Sequence, residues 1–172
     1  MKRKILALVL AVMFLVGTIT TQAFADNTEP NTDDTNFEIH MSSPGAVASQ
    51  TYAARKKTDS SSTYINYYTR ASGSAASGPY QFEAQIWGYY YNTLSNFTDC
   101  SSTVYGTNQS RSKAIITRGT YGLMRQDVYE KYGVGSYAQI YGAMISESGI
   151  AYGCWSPDSI DYGYSYYNYV IG

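Results

Sequence analysis

Apolar and polar residues alternate with a period of two along much of this chain. From Asn36 to Met41, Phe37, Ile39 and Met41 fall on one face while Glu38 and His40 fall on the other, the pattern of a half-buried β-strand. Tyr80, Phe82, Ala84 and Ile86 alternate with Gln81, Glu83, Gln85 and Trp87. Tyr137, Gln139, Tyr141, Ala143 and Ile145 alternate in the same way with Ala138, Ile140, Gly142 and Met144. Ser62–Thr69 carries Tyr64, Ile65, Tyr67 and Tyr68 and reads as a strand covered on both sides. Shorter strands are predicted near Lys113–Arg118, Ile150–Trp155 and Tyr162–Val170. Leu123, Met124, Val128 and Tyr132 sit at helical spacing ahead of Gly133, which is placed as a C-terminal cap; a bulged strand accommodates the same residues.

Turn chemistry separates these segments. Pro44-Gly45, Ser77-Gly78-Pro79 and Ser156-Pro157-Asp158-Ser159 combine a preset proline φ with residues that tolerate the remaining turn angles. Short alternating strands spaced by such turns predict an all-β fold, a single antiparallel β-sandwich-like domain over residues 37–172.

The first residues follow a different pattern. Lys2, Arg3 and Lys4 precede an apolar run from Ile5 to Val16, and a polar stretch closes on Ala23, Phe24 and Ala25. This is the order of a secretory signal peptide, expected over residues 1–25 with cleavage after Ala25. The run is shorter than the roughly 20 apolar residues of a spanning helix, and no cysteine near the cleavage site offers a lipid anchor. A secreted, extracellular chain without a stable membrane anchor is therefore expected. Residues 26–36, rich in Asp, Asn and Thr, read as a short disordered leader.

Export changes the charge balance. Without residues 1–25 the chain keeps nine Lys and Arg against 13 Asp and Glu, a net charge of −4. No basic patch for nucleic acid follows from that balance, nor a strong attraction to anionic lipid. Cys100 and Cys154 are the two cysteines, and in an exported chain such a pair is a disulfide candidate, with two free thiols as the alternative.

The chain has 20 tyrosines, and Tyr162, Tyr164, Tyr166, Tyr167 and Tyr169 crowd its C-terminal end. A tyrosine ring buries apolar area while its hydroxyl stays hydrated. The cluster therefore suits packing against a sheet first, with an aromatic surface for sugar rings or for another protein as the alternative.

Catalytic chemistry is sparse. His40 is the single histidine and lies on a polar strand face. No Gly-x-Ser-x-Gly elbow, His-Glu-x-x-His, Cys-x-x-Cys or phosphate-binding glycine loop occurs. Glu38 and Glu83 are the carboxylates that would have to pair in a glycosidase. Asp33, Asp34 and Asn36 offer oxygens but lack the glycine and closing glutamate of a calcium loop. No catalytic residue, metal or cofactor is predicted.

Two resemblances bear on function. The segment KYGVGSYA, Lys131–Ala138, resembles the Tyr-Gly-Asn-Gly-Val box of pediocin-like bacteriocins; valine stands in place of the asparagine and no cysteine follows, so no activity is carried over. NFEIHM, YAARKKT, YINYYTRA and AYGCWSPDSI together resemble a family of small secreted proteins from Gram-positive bacteria with no assigned function. That likeness spans most of the chain up to Ile160 and implies export and a β-rich fold, with no site. The expectation is a non-enzymatic extracellular protein binding cell-wall glycan or another extracellular protein through a tyrosine-rich β surface. The alternatives are a secreted antimicrobial, bacteriocin-like factor and an extracellular hydrolase working through carboxylates or a serine.

Overall fold

A computed structural model of the chain describes residues 30–70, 73, 78–90, 97–102, 112–160 and 162–171. The expected signal peptide and residues 26–29 of the expected leader lie outside them. Among the described residues the strands are β1 (Thr35–Met41), β2 (Val47–Ser49), β3 (Arg55–Lys56), β4 (Thr63–Tyr68), β5 (Gln81–Tyr90), β6 (Thr98–Asp99), β7 (Ser112–Thr117), β8 (Thr120–Met124), β9 (Ser136–Met144), β10 (Gly149–Ser156) and β11 (Tyr169–Ile171), and a short helix, α1, spans Val128–Tyr132. They form two antiparallel sheets, one in the order β1-β10-β4-β8 and the other β11-β7-β5-β9-β2, with β3 added on β9 and β6 on β5. This is the all-β, antiparallel sandwich-like arrangement that the alternation predicts.

Alternation also decides the core. The inward rows Phe37, Ile39 and Met41 of β1, Ile65 and Tyr67 of β4, and Ala151 and Trp155 of β10 meet Phe82, Ala84 and Ile86 of β5, Ala114 and Ile116 of β7, and Ala138 and Ile140 of β9. The Tyr67 and Phe82 rings meet edge to face at 5.1 Å, a geometry that suits the ring quadrupoles. Val128 of α1 closes one end of this core against β5, where Gly88 leaves the space: a Cβ there would come within 2.7 Å of the Val128 side chain.

Several expectations are corrected. Residues 30–36 of the expected disordered leader are ordered, because β1 begins at Thr35 and the Asn31 N–H donates to Asp158 Oδ2 (2.7 Å) and Thr58 Oγ1 (3.2 Å). Leu123–Tyr132 is neither one helix nor one strand: β8 runs to Met124, and α1 starts at Val128, with the Gly133 N–H closing it on the Tyr129 carbonyl (2.7 Å). Tyr80 precedes β5 and is 55% exposed, apart from the buried row it was expected to continue. Of the expected Tyr162–Val170 strand, only Tyr169 and Val170 join a sheet ladder, as part of β11, since Gly163 turns at φ 80° and breaks the alternation.

The disulfide is also corrected: Cys100 and Cys154 are both free thiols. They belong to opposite layers. Cys100 is buried after β6 among core residues including Val128. Cys154 points outward from β10, where its Sγ–H donates to Asp34 Oδ2 (3.6 Å). Burial raises both thiols, Cys100 to about 12 and Cys154, with the Asp34 carboxylate adding to the effect, to about 11.

Candidate functional site

The Ser156–Ser159 turn sets where the C-terminal segment goes. Ser156 Oγ donates to the Asp158 carbonyl (2.8 Å) and the Ser159 N–H donates to Ser61 Oγ (2.9 Å), so the chain reverses and returns across β4 and β8. It then lies beside β8 in parallel: the Leu123 N–H donates to the Ser165 carbonyl (3.0 Å) and the Tyr167 N–H to the Leu123 carbonyl (3.1 Å). Gly122 makes this approach possible, since a Cβ there would stand 2.8 Å from the Ser165 oxygen and 3.2 Å from the Tyr167 ring. From Tyr169 the chain crosses to the other sheet and pairs with β7 as β11. One short segment thus covers edge strands of both layers.

The five C-terminal tyrosines take different roles. Tyr167 is structural: its hydroxyl donates to the Ile65 carbonyl (3.0 Å) and the Thr120 carbonyl (3.2 Å), and its ring packs on the core. Burial first of all pushes its phenol up to about 12. Tyr166 lies under the Arg125 guanidinium at 4.2 Å and accepts a hydrogen bond from Ser62 Oγ (3.3 Å). Tyr169 stands opposite Ala114 in β11. Tyr162 is 71% exposed and Tyr164 half-buried, and both line a cleft.

Tyr164 stands 5.3 Å from the Tyr64 ring of β4, 5.7 Å from Tyr121 of β8 and 6.1 Å from Tyr162, the last two edge to face. Between this cluster and the start of the domain lies a cleft of about 200 Å³, lined by Tyr64, Tyr162, Tyr164 and Ile160 on its apolar side and by Thr32, Asp34, Ser156 and Ser159 on its polar side. Burial first, then the carboxylate of Asp34, raises the Tyr64 phenol to about 12.

The cleft opens onto the outer face of the four-stranded sheet. Register places Asn36, Cys154, Asn66 and Tyr121 in one row, and Glu38, Tyr152 and Tyr68 in the next. Tyr68 and Tyr152 meet edge to face at 5.6 Å. Arg70 lies over Tyr152 at 4.1 Å and donates to Glu38 Oε2 (2.7 Å). Tyr64 and Tyr68 are four residues apart on one face, roughly 13 Å at strand rise, so the face presents aromatic rings at two separated points with amides between them.

The other sequence candidates do not converge. His40 Nε2 is 2.7 Å from Glu38 Oε1 on the outer face of β1, and Glu83 accepts from Lys113 Nζ (2.7 Å) on the outer face of the other sheet. The two glutamates therefore point away from each other across the whole sandwich. Asp34 and Asn36 are occupied by Cys154 and by the Tyr68 hydroxyl (3.4 Å), and among the described residues no group of three or more His, Cys, Asp or Glu could hold a metal ion.

Sequence reasoning missed a second aromatic group. On the outer face of the seven-stranded sheet Trp87 stacks on Tyr141 (4.6 Å, 22°) and Tyr89 on Tyr137 (5.4 Å, 20°), with Phe97 edge-on to Tyr89 (4.4 Å). The alternating aromatics of β5 and β9 were its signal. These rings do not line the cleft, whereas those of Tyr64, Tyr162 and Tyr164, in contact with one another, do.

Fold and site together define an antiparallel β-sandwich protein whose C-terminal segment builds an aromatic cleft on one sheet. The chain belongs to a family described as a protein of unknown function (DUF2712), matched over residues 21–159. The match stops before Ile160, so Tyr162 and Tyr164 lie beyond it while Asp34, Tyr64, Ser156 and Ser159 lie within it. No curated protein and no solved structure matches the chain.

Proposed function

We propose that this is an exported, non-enzymatic bacterial protein that attaches to cell-wall glycan or to another extracellular protein through its tyrosine-lined face. The observation that carries this reading is the cleft itself, where the rings of Tyr64, Tyr162 and Tyr164 border hydroxyls and a carboxylate. Flat aromatic rings flanked by a few polar groups are the usual makings of a small-ligand site. Export is supported by the charged, apolar and small-residue order of residues 1–25. Among the described residues no helix is long and apolar enough to cross a membrane. The net charge of −4 gives a membrane-attacking role little footing, because such segments draw on positive charge. A carboxylate hydrolase gains nothing from Glu38 and Glu83, which face opposite sides and are each engaged by a cation.

The test is co-sedimentation of the purified protein with isolated bacterial cell walls, beside a Tyr162→Ala/Tyr164→Ala variant. Wild-type protein in the pellet and variant in the supernatant is the expected result. Wild-type protein left in the supernatant at all concentrations overturns wall attachment.

A further inference from the structure

We infer that the cleft is a cation cage, selecting an organic ammonium group carried by the polymer or partner to which the protein attaches. The inference rests on the preceding reading that the cleft binds a ligand, and gives that ligand its chemistry. Tyrosine faces carry negative quadrupole charge, and several around one hollow recognise quaternary ammonium and related cations. Tyr64, Tyr162 and Tyr164 put three such rings in the cleft wall, and Asp34 is the one charged side chain among the described residues that line it. The remaining polar groups are the hydroxyls of Thr32, Ser156 and Ser159, which are neutral.

Charge in the surroundings points the same way. After burial, the groups that most disfavour ionisation of the Tyr64 phenol are Asp34, Cys154, Tyr164 and Tyr121, with the Asp34 carboxylate first among them. Two cations of the neighbouring segment, Arg55 and Lys57, are committed elsewhere. Arg55 donates to Asn31 Oδ1 (2.8 Å) and to the carbonyls of Asp33 and Trp155 (3.3 Å for the latter). Lys57 is fully buried against Asp158.

The same side of the molecule already uses tyrosine to hold cations, Arg125 over Tyr166 and Arg70 over Tyr152. Among the described residues no cation lies over the rings of Tyr64, Tyr162 or Tyr164. Size fits as well: about 200 Å³ falls below the roughly 300 Å³ at which pockets for larger ligands begin, and so suits a single headgroup.

Calorimetric titration of the purified protein at fixed ionic strength tests this with four probes: choline, ethanolamine, the uncharged choline isostere 3,3-dimethylbutan-1-ol, and a neutral N-acetylglucosamine oligomer. The expected result is binding of at least one ammonium probe, roughly tenfold tighter than the isostere, and weakened about fivefold or more by Asp34→Asn or Tyr164→Ala. Asp34 and Tyr162 are exposed, so Asp34→Asn and Tyr162→Ala serve as variants expected to keep the wild-type Tm. Equal binding of choline and its isostere overturns the cation cage. Binding of the neutral oligomer without either ammonium probe overturns it too, while leaving the attachment proposal standing. No binding of any probe, together with no wall co-sedimentation, removes both.

Discussion

Tyrosine serves this protein in three ways, and the hydroxyl's partner separates them. Tyr67, fully buried, donates to the Pro79 carbonyl, and Tyr167 donates to two carbonyls at the sheet edge. Tyr152 and Tyr166 lie beneath guanidinium groups, and Tyr162 is 71% exposed. Burial raises the Tyr67 and Tyr167 phenols from the ordinary 10.0 to about 12, and the Cys100 thiol from 9.0 to about 12. The folded state therefore holds these protons more tightly than the unfolded chain. That contribution to stability is complete below about pH 9 and disappears as pH climbs through about 12. Thermal melts followed by circular dichroism should show a steady Tm up to pH 9 and a fall of about 10 °C or more by pH 11. A Tm unchanged at pH 11 would contradict this account of the buried phenols and thiol.

Among the elements, the C-terminal segment does more than a strand's share. It lies along β8 through the Leu123, Ser165 and Tyr167 backbone groups and then pairs with β7. Both are edge positions, and bare edges pair with other chains. Removing residues 160–172 takes away the Tyr167 ring and its two hydrogen bonds, on the order of 3 kcal/mol. Ending the chain at Ser159 should thus lower Tm by about 10 °C and give concentration-dependent association in sedimentation velocity runs. A shortened chain that melts like the full one and stays monomeric would make the segment an appendage rather than part of the sandwich.

Across the whole molecule, one ion pair joins pieces far apart in sequence. The Lys57 ammonium, fully buried, donates to Asp158, to the Ser61 carbonyl (2.7 Å) and to Asp59 Oδ1 (3.3 Å). Asp158 Oδ2 in turn accepts from the Asn31 N–H (2.7 Å), the Thr58 N–H (3.0 Å) and the Thr58 hydroxyl (2.5 Å). The start of the domain, the segment after β3 and the turn after β10 are thereby fastened together beside the cleft. Replacing Lys57 by Met leaves a buried carboxylate without its cation, which should destabilise the fold by about 3–5 kcal/mol in urea titrations. A cost below 1 kcal/mol would show that water reaches Asp158 in place of the ammonium.

The amino-acid sequence by itself determined the strands and the class of fold. Period-two alternation in Asn36–Met41, Tyr80–Trp87 and Tyr137–Ile145 reflects burial of one or both faces of an extended chain, a local property that each segment carries independently of its partners. It also marked the crowded tyrosines as the feature to follow. Only the tertiary structure decided what those tyrosines do, because strand order and register bring Tyr64 and Tyr121 beneath Tyr164 and place Asp34 across the cleft from them. The same holds for Lys57, which in the run Arg55-Lys56-Lys57 looks like a solvated charge until Asp158 arrives from 101 residues away. Cys100 and Cys154 follow suit: spacing allowed a bridge, and the layer each strand entered ruled it out. Contacts between residues distant in sequence depend on which edges and faces meet, and no local pattern encodes that choice.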